Sequence, residues 1–143
     1  MLILLMLLQK PPIEESPIQF SKKDVECLQK NIFHEAGIEK RIGKLAVAQV
    51  TLNRLEDGRW GKTICEVVKS PKQFSWTSKK HKKEYGPLWK ESAEVIEDIF
   101  KGKKIKKLDN ALFYHNISVK PKWDGLKKIT KLGNHVFYEE RKN

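Results

Sequence analysis

Ile42-Gly43-Lys44-Leu45-Ala46-Val47-Ala48-Gln49-Val50-Thr51-Leu52-Asn53-Arg54-Leu55 is apolar on most of its faces, and a helix of that kind is a buried one. Before it, Val25, Leu28, Ile32 and Ala36 recur at three- and four-residue intervals and predict an amphipathic helix with Glu35 near its end. Ser21 and Asp24 have the spacing of a capping box at the start of that helix. Gly37 is expected to stop it in a left-handed conformation. A carboxylate at the end of one helix, beside a buried helix, is a place where an acid with a raised pKa can be made.

Downstream, Thr63 is positioned to cap a short helix through Ile64, Cys65, Val67 and Val68, stopped by Ser70-Pro71. Lys72 to Gly86 has neither helical nor strand period and reads as a long surface loop, of a length that is often functional. Pro87 suits a first helical position, and Leu88, Ala93, Ile96, Ile99 and Phe100 form a stripe ending at Gly102. Ala111 to Asn116 is a short apolar run ending in polar groups, and Leu132-Gly133-Asn134-His135-Val136 fits a small hairpin or a loop and strand. The expected fold class is mainly α (α+β): five or so helices around the 42–55 helix, with minor β-structure near the C-terminus.

The 143 residues fit a single domain, with the folded part over 21–143 and residues 1–20 outside it. Met1 to Leu8 is almost all Leu, Ile or Met, but a bilayer span takes about 20 residues. It also lacks the basic start and the small-residue cleavage site of an export signal. Lys10 to Pro17 reads as an extended linker.

The net charge of +11 implies an anionic partner, whether nucleic acid, membrane or wall polymer. Lysines crowd two stretches, Lys79–Lys83 and Lys103–Lys107. Cys27 and Cys65 are too few for a disulfide framework. Their apolar helical surroundings favour buried free thiols over a single bridge. His34-Glu35 suggests a zinc helix, but the second histidine of that motif would have to stand at Ile38. No metal and no cofactor is therefore expected. Gln73-Phe74-Ser75-Trp76 and Phe113-Tyr114-His115-Asn116 pair aromatic planes with neutral hydrogen-bonding groups. Sugars are bound in that manner, rings stacked on apolar faces and hydroxyls matched by amides.

Six blocks occur in order: Glu35-Ala36 with Glu39; Leu45 to Arg54; Gln73-Phe74-Ser75-Trp76; Tyr114-His115-Asn116; Pro121-Lys122-Trp123; and Gly133-Asn134-His135-Val136-Phe137-Tyr138. From about Val25 to Tyr138 the chain resembles the cell-wall hydrolases typified by the spore-cortex-lytic enzymes of bacilli, which also occur in phages. The resemblance implies a lysozyme-like fold and a lytic transglycosylase that cleaves the β-1,4 bond between N-acetylmuramic acid and N-acetylglucosamine, leaving a 1,6-anhydro product. It makes Glu35 the catalytic residue. Tyr114 and Gln73 would orient the acid or the N-acetyl group, Phe74, Trp76 and Trp123 would stack on sugar rings, and Ser75 and His115 would complete the substrate contacts. Two departures stand out. Gly37 replaces an arginine of many members, and Lys72 and Ser78 replace a pair of loop cysteines.

Hydrolysis of a glycosidic bond ordinarily takes two carboxylates, and this sequence offers one well-placed acid. A transglycosylase needs only one, because the 6-hydroxyl of the muramic acid attacks its own anomeric carbon. The rival enzymatic readings are a simple muramidase and an N-acetylmuramoyl-L-alanine amidase, the latter commonly a zinc enzyme. The non-enzyme rival is a basic nucleic-acid-binding protein, lysines on phosphate and aromatics on bases. The expected partners are peptidoglycan glycan strands and anionic wall polymers rather than nucleic acid. The chain is expected to be a monomer without a stable membrane span, at the wall, secreted or delivered there by a phage.

Overall fold

The first helix, α1 (Lys22–Ala36), starts where the capping residues predict it: the Asp24 N–H donates to Ser21 Oγ at 3.1 Å. The Asp24 carboxylate does not close the box. It accepts from the Cys65 N–H at 3.3 Å and so links α1 to a later helix. The computed structural model describes residues 20–70 and 86–142. Residues 1–19, the Gln73 to Trp76 block and the Lys79–Lys83 run lie outside the described residues.

Helix α2 (Arg41–Asp57) is the buried one, with Ala46, Val47, Ala48 and Val50 fully inaccessible. It is apolar nearly all round because it divides two cores. On one side Ala48 packs with Leu28 and Ile32 of α1, Ile64 and Val68 of α3 (Ile64–Lys69), and Val95 and Ile96 of α4 (Pro87–Phe100). On the other, Ala46, Val47 and Val50 pack with Leu108, Ala111 and Phe137. Ile42 departs from the expectation. It sits in the first turn of α2, outside both cores, and is 52% exposed.

Thr63 caps α3 as expected, accepting from the Glu66 N–H at 3.1 Å, and Pro87 opens α4. The predicted β-structure is a three-stranded antiparallel sheet: β1 (Phe113–Asn116), β2 (Leu126–Leu132) and β3 (His135–Glu140), in the order β1-β3-β2. Leu132 pairs with His135, so β2 and β3 form a hairpin whose two-residue turn is Gly133-Asn134. The described residues therefore hold four α-helices, a short 3-10 turn at Lys106–Leu108 and this sheet.

Two sequence expectations are corrected. Gly37 is right-handed (φ −55°, ψ −38°), so left-handed freedom is not what it supplies. A Cβ there would collide with the Phe33 carbonyl oxygen, so glycine is required by close approach of the backbone. Cys27 and Cys65 are a disulfide, not free thiols. Packing of α3 along α1 brings their Cα atoms to 5.3 Å, and both residues sit at the half-buried rim of that contact rather than in the core.

Closing a loop of 38 residues restricts the unfolded chain, an effect worth about 4 kcal/mol in the chain-entropy account. Cys65→Ser should therefore lower Tm by on the order of 10 °C under oxidising conditions. With reductant present, wild type and variant should melt together by circular dichroism.

Candidate active site at the end of the first helix

Three elements converge on Glu35. The last turn of α1 carries it half-buried, because the amphipathic stripe ends one residue later at buried Ala36. From α2 comes Arg54, on the same helical face as Val47 and Val50 and only 5% exposed. Its Nε donates to the Leu112 carbonyl at 2.7 Å, and its guanidinium lies 5.0 Å from the Trp60 ring and 5.5 Å from Phe113. From β1 comes Tyr114, whose ring touches both cores and whose buried hydroxyl feels the charge of the Glu35 carboxylate.

The electrostatics follow from burial. Desolvation, and then the negative charge of Glu35, push the Tyr114 phenol well above its usual value, with Arg54 acting in the other direction. Burial brings the Arg54 guanidinium down to about 10, against the restoring effect of Tyr114 and Glu35. At neutral pH the trio is therefore a carboxyl group held between a neutral phenol donor and a fixed positive charge.

Strand alternation separates the other candidates. Tyr114 faces inward with Phe137, its partner across the strands. His115 faces outward. Its Nδ1 donates to the Asn116 carbonyl at 2.8 Å, leaving Nε2 to accept from the Tyr138 hydroxyl at 2.8 Å. Trp123 joins it there, with ring centroids 5.5 Å from His115, 5.5 Å from Tyr138 and 5.9 Å from Phe113. The structure thus brings Tyr114 to Glu35 and gathers His115 and Trp123 on the opposite face of the sheet. Gln73, Phe74, Ser75 and Trp76 lie outside the described residues. Among the described residues, no three His, Cys, Asp or Glu come together as a metal site.

A profile of the Cell Wall Hydrolase family matches residues 38–138. The chain belongs to that family. The match begins three residues past Glu35, so the placement of Glu35 rests on its own neighbours. Spore cortex-lytic enzymes are similar at 27% identity: that of Oceanobacillus iheyensis over 88% of this chain and 45% of the relative, that of Bacillus cereus over 90% and 50%. The chain spans about half the length of these curated relatives. The crystal structure of the catalytic domain of the Bacillus cereus SleB protein has the same fold, with a TM-score of 0.68 at 24% identity over 89% of this chain and 98% of that domain. The catalytic domain of the germination-specific lytic transglycosylase SleB from Bacillus anthracis gives the same score and identity over 85% and 98%. The fold is lysozyme-like, a helical body with a small sheet near the C-terminus.

Sequence reasoning did not assign roles to two residues that the cell wall hydrolase fold buries here. Arg54 had a legible signal, a cation in register with Val47 and Val50 on a buried face. Glu39 had none. It is 9% exposed, and its Oε1 accepts from the Asn134 N–H at 3.0 Å and lies 3.3 Å from His135 Nδ1. No local pattern announces a partner 95 residues away.

Burial lowers the His135 pKa, with Glu39 pulling it back up and His115 adding to the lowering. The unfolded chain takes up this proton near pH 6.5 and the folded chain only at lower pH. Unfolding free energy should therefore fall as pH drops below about 6.5. In urea titrations, His135→Phe should flatten that dependence between pH 7 and pH 5. An unchanged slope would assign it to other groups.

Proposed function

We propose that this chain cleaves the glycan strands of peptidoglycan as a lytic transglycosylase, with Glu35 acting first as acid and then as base. The observation that carries the reading is the division of labour between its two neighbouring glutamates. Glu39 is turned to the Gly133-Asn134 hairpin, leaving Glu35 as the carboxyl group beside Tyr114 and Arg54. Double displacement and inversion both call for a pair of carboxylates. One suffices when the nucleophile is the sugar's own 6-hydroxyl.

In this scheme Glu35 gives its proton to the glycosidic oxygen as the bond from the muramic anomeric carbon breaks. The resulting carboxylate is stabilised by the Arg54 guanidinium and accepts a hydrogen bond from Tyr114. It then takes the proton of the 6-hydroxyl as that oxygen closes onto the anomeric carbon. Glu35 ends protonated and no water is consumed. Family membership supports a wall substrate, as does the net charge of +11, which suits an anionic polymer. The Cys27–Cys65 bridge fits an oxidising compartment and so the wall or the exterior. No helix among the described residues is long and apolar enough to cross a membrane.

Glu35→Gln keeps the shape and removes the transferable proton. Turbidity loss of purified walls should fall by about 10²–10⁴ with an unchanged circular dichroism spectrum. Mass spectrometry of wild-type digests should find 1,6-anhydro ends. Hydrated reducing ends would make the enzyme a muramidase, and free stem peptides an amidase. Near-full lysis by Glu35→Gln would remove Glu35 from the chemistry.

A further inference from the structure

The buried Glu39 plays no part in the scheme above, yet its side chain is enclosed and hydrogen-bonded. Its carboxylate accepts from the Asn134 N–H and approaches His135 Nδ1. Gly133, the other turn residue, has φ +58°, and a Cβ on it would collide with Glu39 Oε2. On the helix side, a Cβ on Gly43 would stand 3.0 Å from Glu39 Cβ. The buried Lys44 donates from Nζ to the Glu39 carbonyl and pairs with Glu91 at 3.2 Å. Two glycines and a lysine thus shape a slot in which the Glu39 side chain meets the tip of the hairpin.

The hairpin tip leads straight to the site. His135 opens β3, and its ring meets Tyr114 edge to face at 5.3 Å. Tyr114 in turn lies within reach of the Glu35 charge. Resting on the reading of Glu35 as the acid, we propose that Glu39 is a positioning residue. It fixes the hairpin to the start of α2, and through His135 it sets the orientation in which Tyr114 meets Glu35. It touches no substrate. The pair Glu35 and Glu39 is then one acid and one brace, separated by the turn at Gly37.

The test is a double-mutant cycle on soluble glycan fragments with a readout on the tyrosine itself. Glu39→Gln is close in shape and keeps an acceptor for Asn134, while removing the charge beside His135. It should lower kcat by about 10–100-fold with KM near the wild-type value, the scale expected for a misplaced catalytic contact. In a Tyr114→Phe background the same change should cost almost nothing more, because both act through one contact. Carbon-13 labelled tyrosine should show the Tyr114 ring signal displaced in Glu39→Gln. His135→Phe, which keeps a ring on Tyr114 but loses the link to Glu39, should displace it likewise and serves if Glu39→Gln does not fold.

Additive losses in the cycle, or a fall in Tm with kcat unchanged, would overturn the proposal. So would a loss as large as that of Glu35→Gln that persists in Tyr114→Phe, since Glu39 would then be catalytic. An unmoved Tyr114 signal would overturn it too. That signal needs no turnover, so it judges the positioning role even if Glu35→Gln shows the functional reading to be wrong.

Discussion

Burying the middle of α2 on both sides takes Gln49, Thr51 and Arg54 out of water, and the neighbouring backbone is arranged around satisfying them. Gln49 uses both ends of its amide on one residue, donating to the Ile105 carbonyl at 2.9 Å and accepting from its N–H at 2.8 Å. Asn53 donates to the carbonyls of Leu108 and Ala111, both at 2.8 Å, and Arg54 donates to Leu112. Toward α1, the Thr51 hydroxyl donates to Asn31 at 3.0 Å. Each group left unmatched would cost about 1–3 kcal/mol. Satisfying them fastens the backbone from Ile105 to Leu112 along one side of α2, which fixes where β1 begins and delivers Tyr114 to Glu35.

Those contacts divide the structure into two working halves. α1, α3 and α4 enclose one core, tied by the Cys27–Cys65 bridge and by Arg41 on Asp98 at 2.9 Å. The sheet lies over the other. Arg41 is well exposed, so that ion pair contributes little beside the apolar burial. The candidate site falls where the halves meet, with the Glu35 carboxyl from the helical half, the Tyr114 phenol from the sheet and the Arg54 guanidinium from the helix between them. The Glu39 contact with the hairpin is a second tie across this boundary.

The turn after α1 decides where each glutamate points. Had the helix run on, Glu35 and Glu39 would share a face. A tight turn instead sends one carboxylate toward β1 and the other toward the hairpin. Because the Phe33 carbonyl leaves no room for a Cβ at position 37, this turn follows a path closed to the arginine that many cell wall hydrolases have there.

The sequence by itself determined the elements and singled out Glu35 as the candidate acid. Ser21 and Thr63 as caps, Pro87 as a helix start, the all-round apolar run of α2 and the Gly133-Asn134 turn are local signals, set by neighbours within a few residues, and the structure follows them. The ordered blocks after Glu35-Ala36 carried the family. Only the tertiary structure decided what meets what. The half-buried rim where α1 meets α3 made Cys27 and Cys65 a bridge, although each alone reads as a buried thiol. Strand alternation divided Tyr114 from its neighbour His115, whose faces depend on which side of the sheet meets α2. Glu39 became buried because a hairpin far along the chain closes over it. Periodicity reports which face of an element is apolar. It carries no information about the partner that covers that face, and in this chain the partner decides the role of each polar residue.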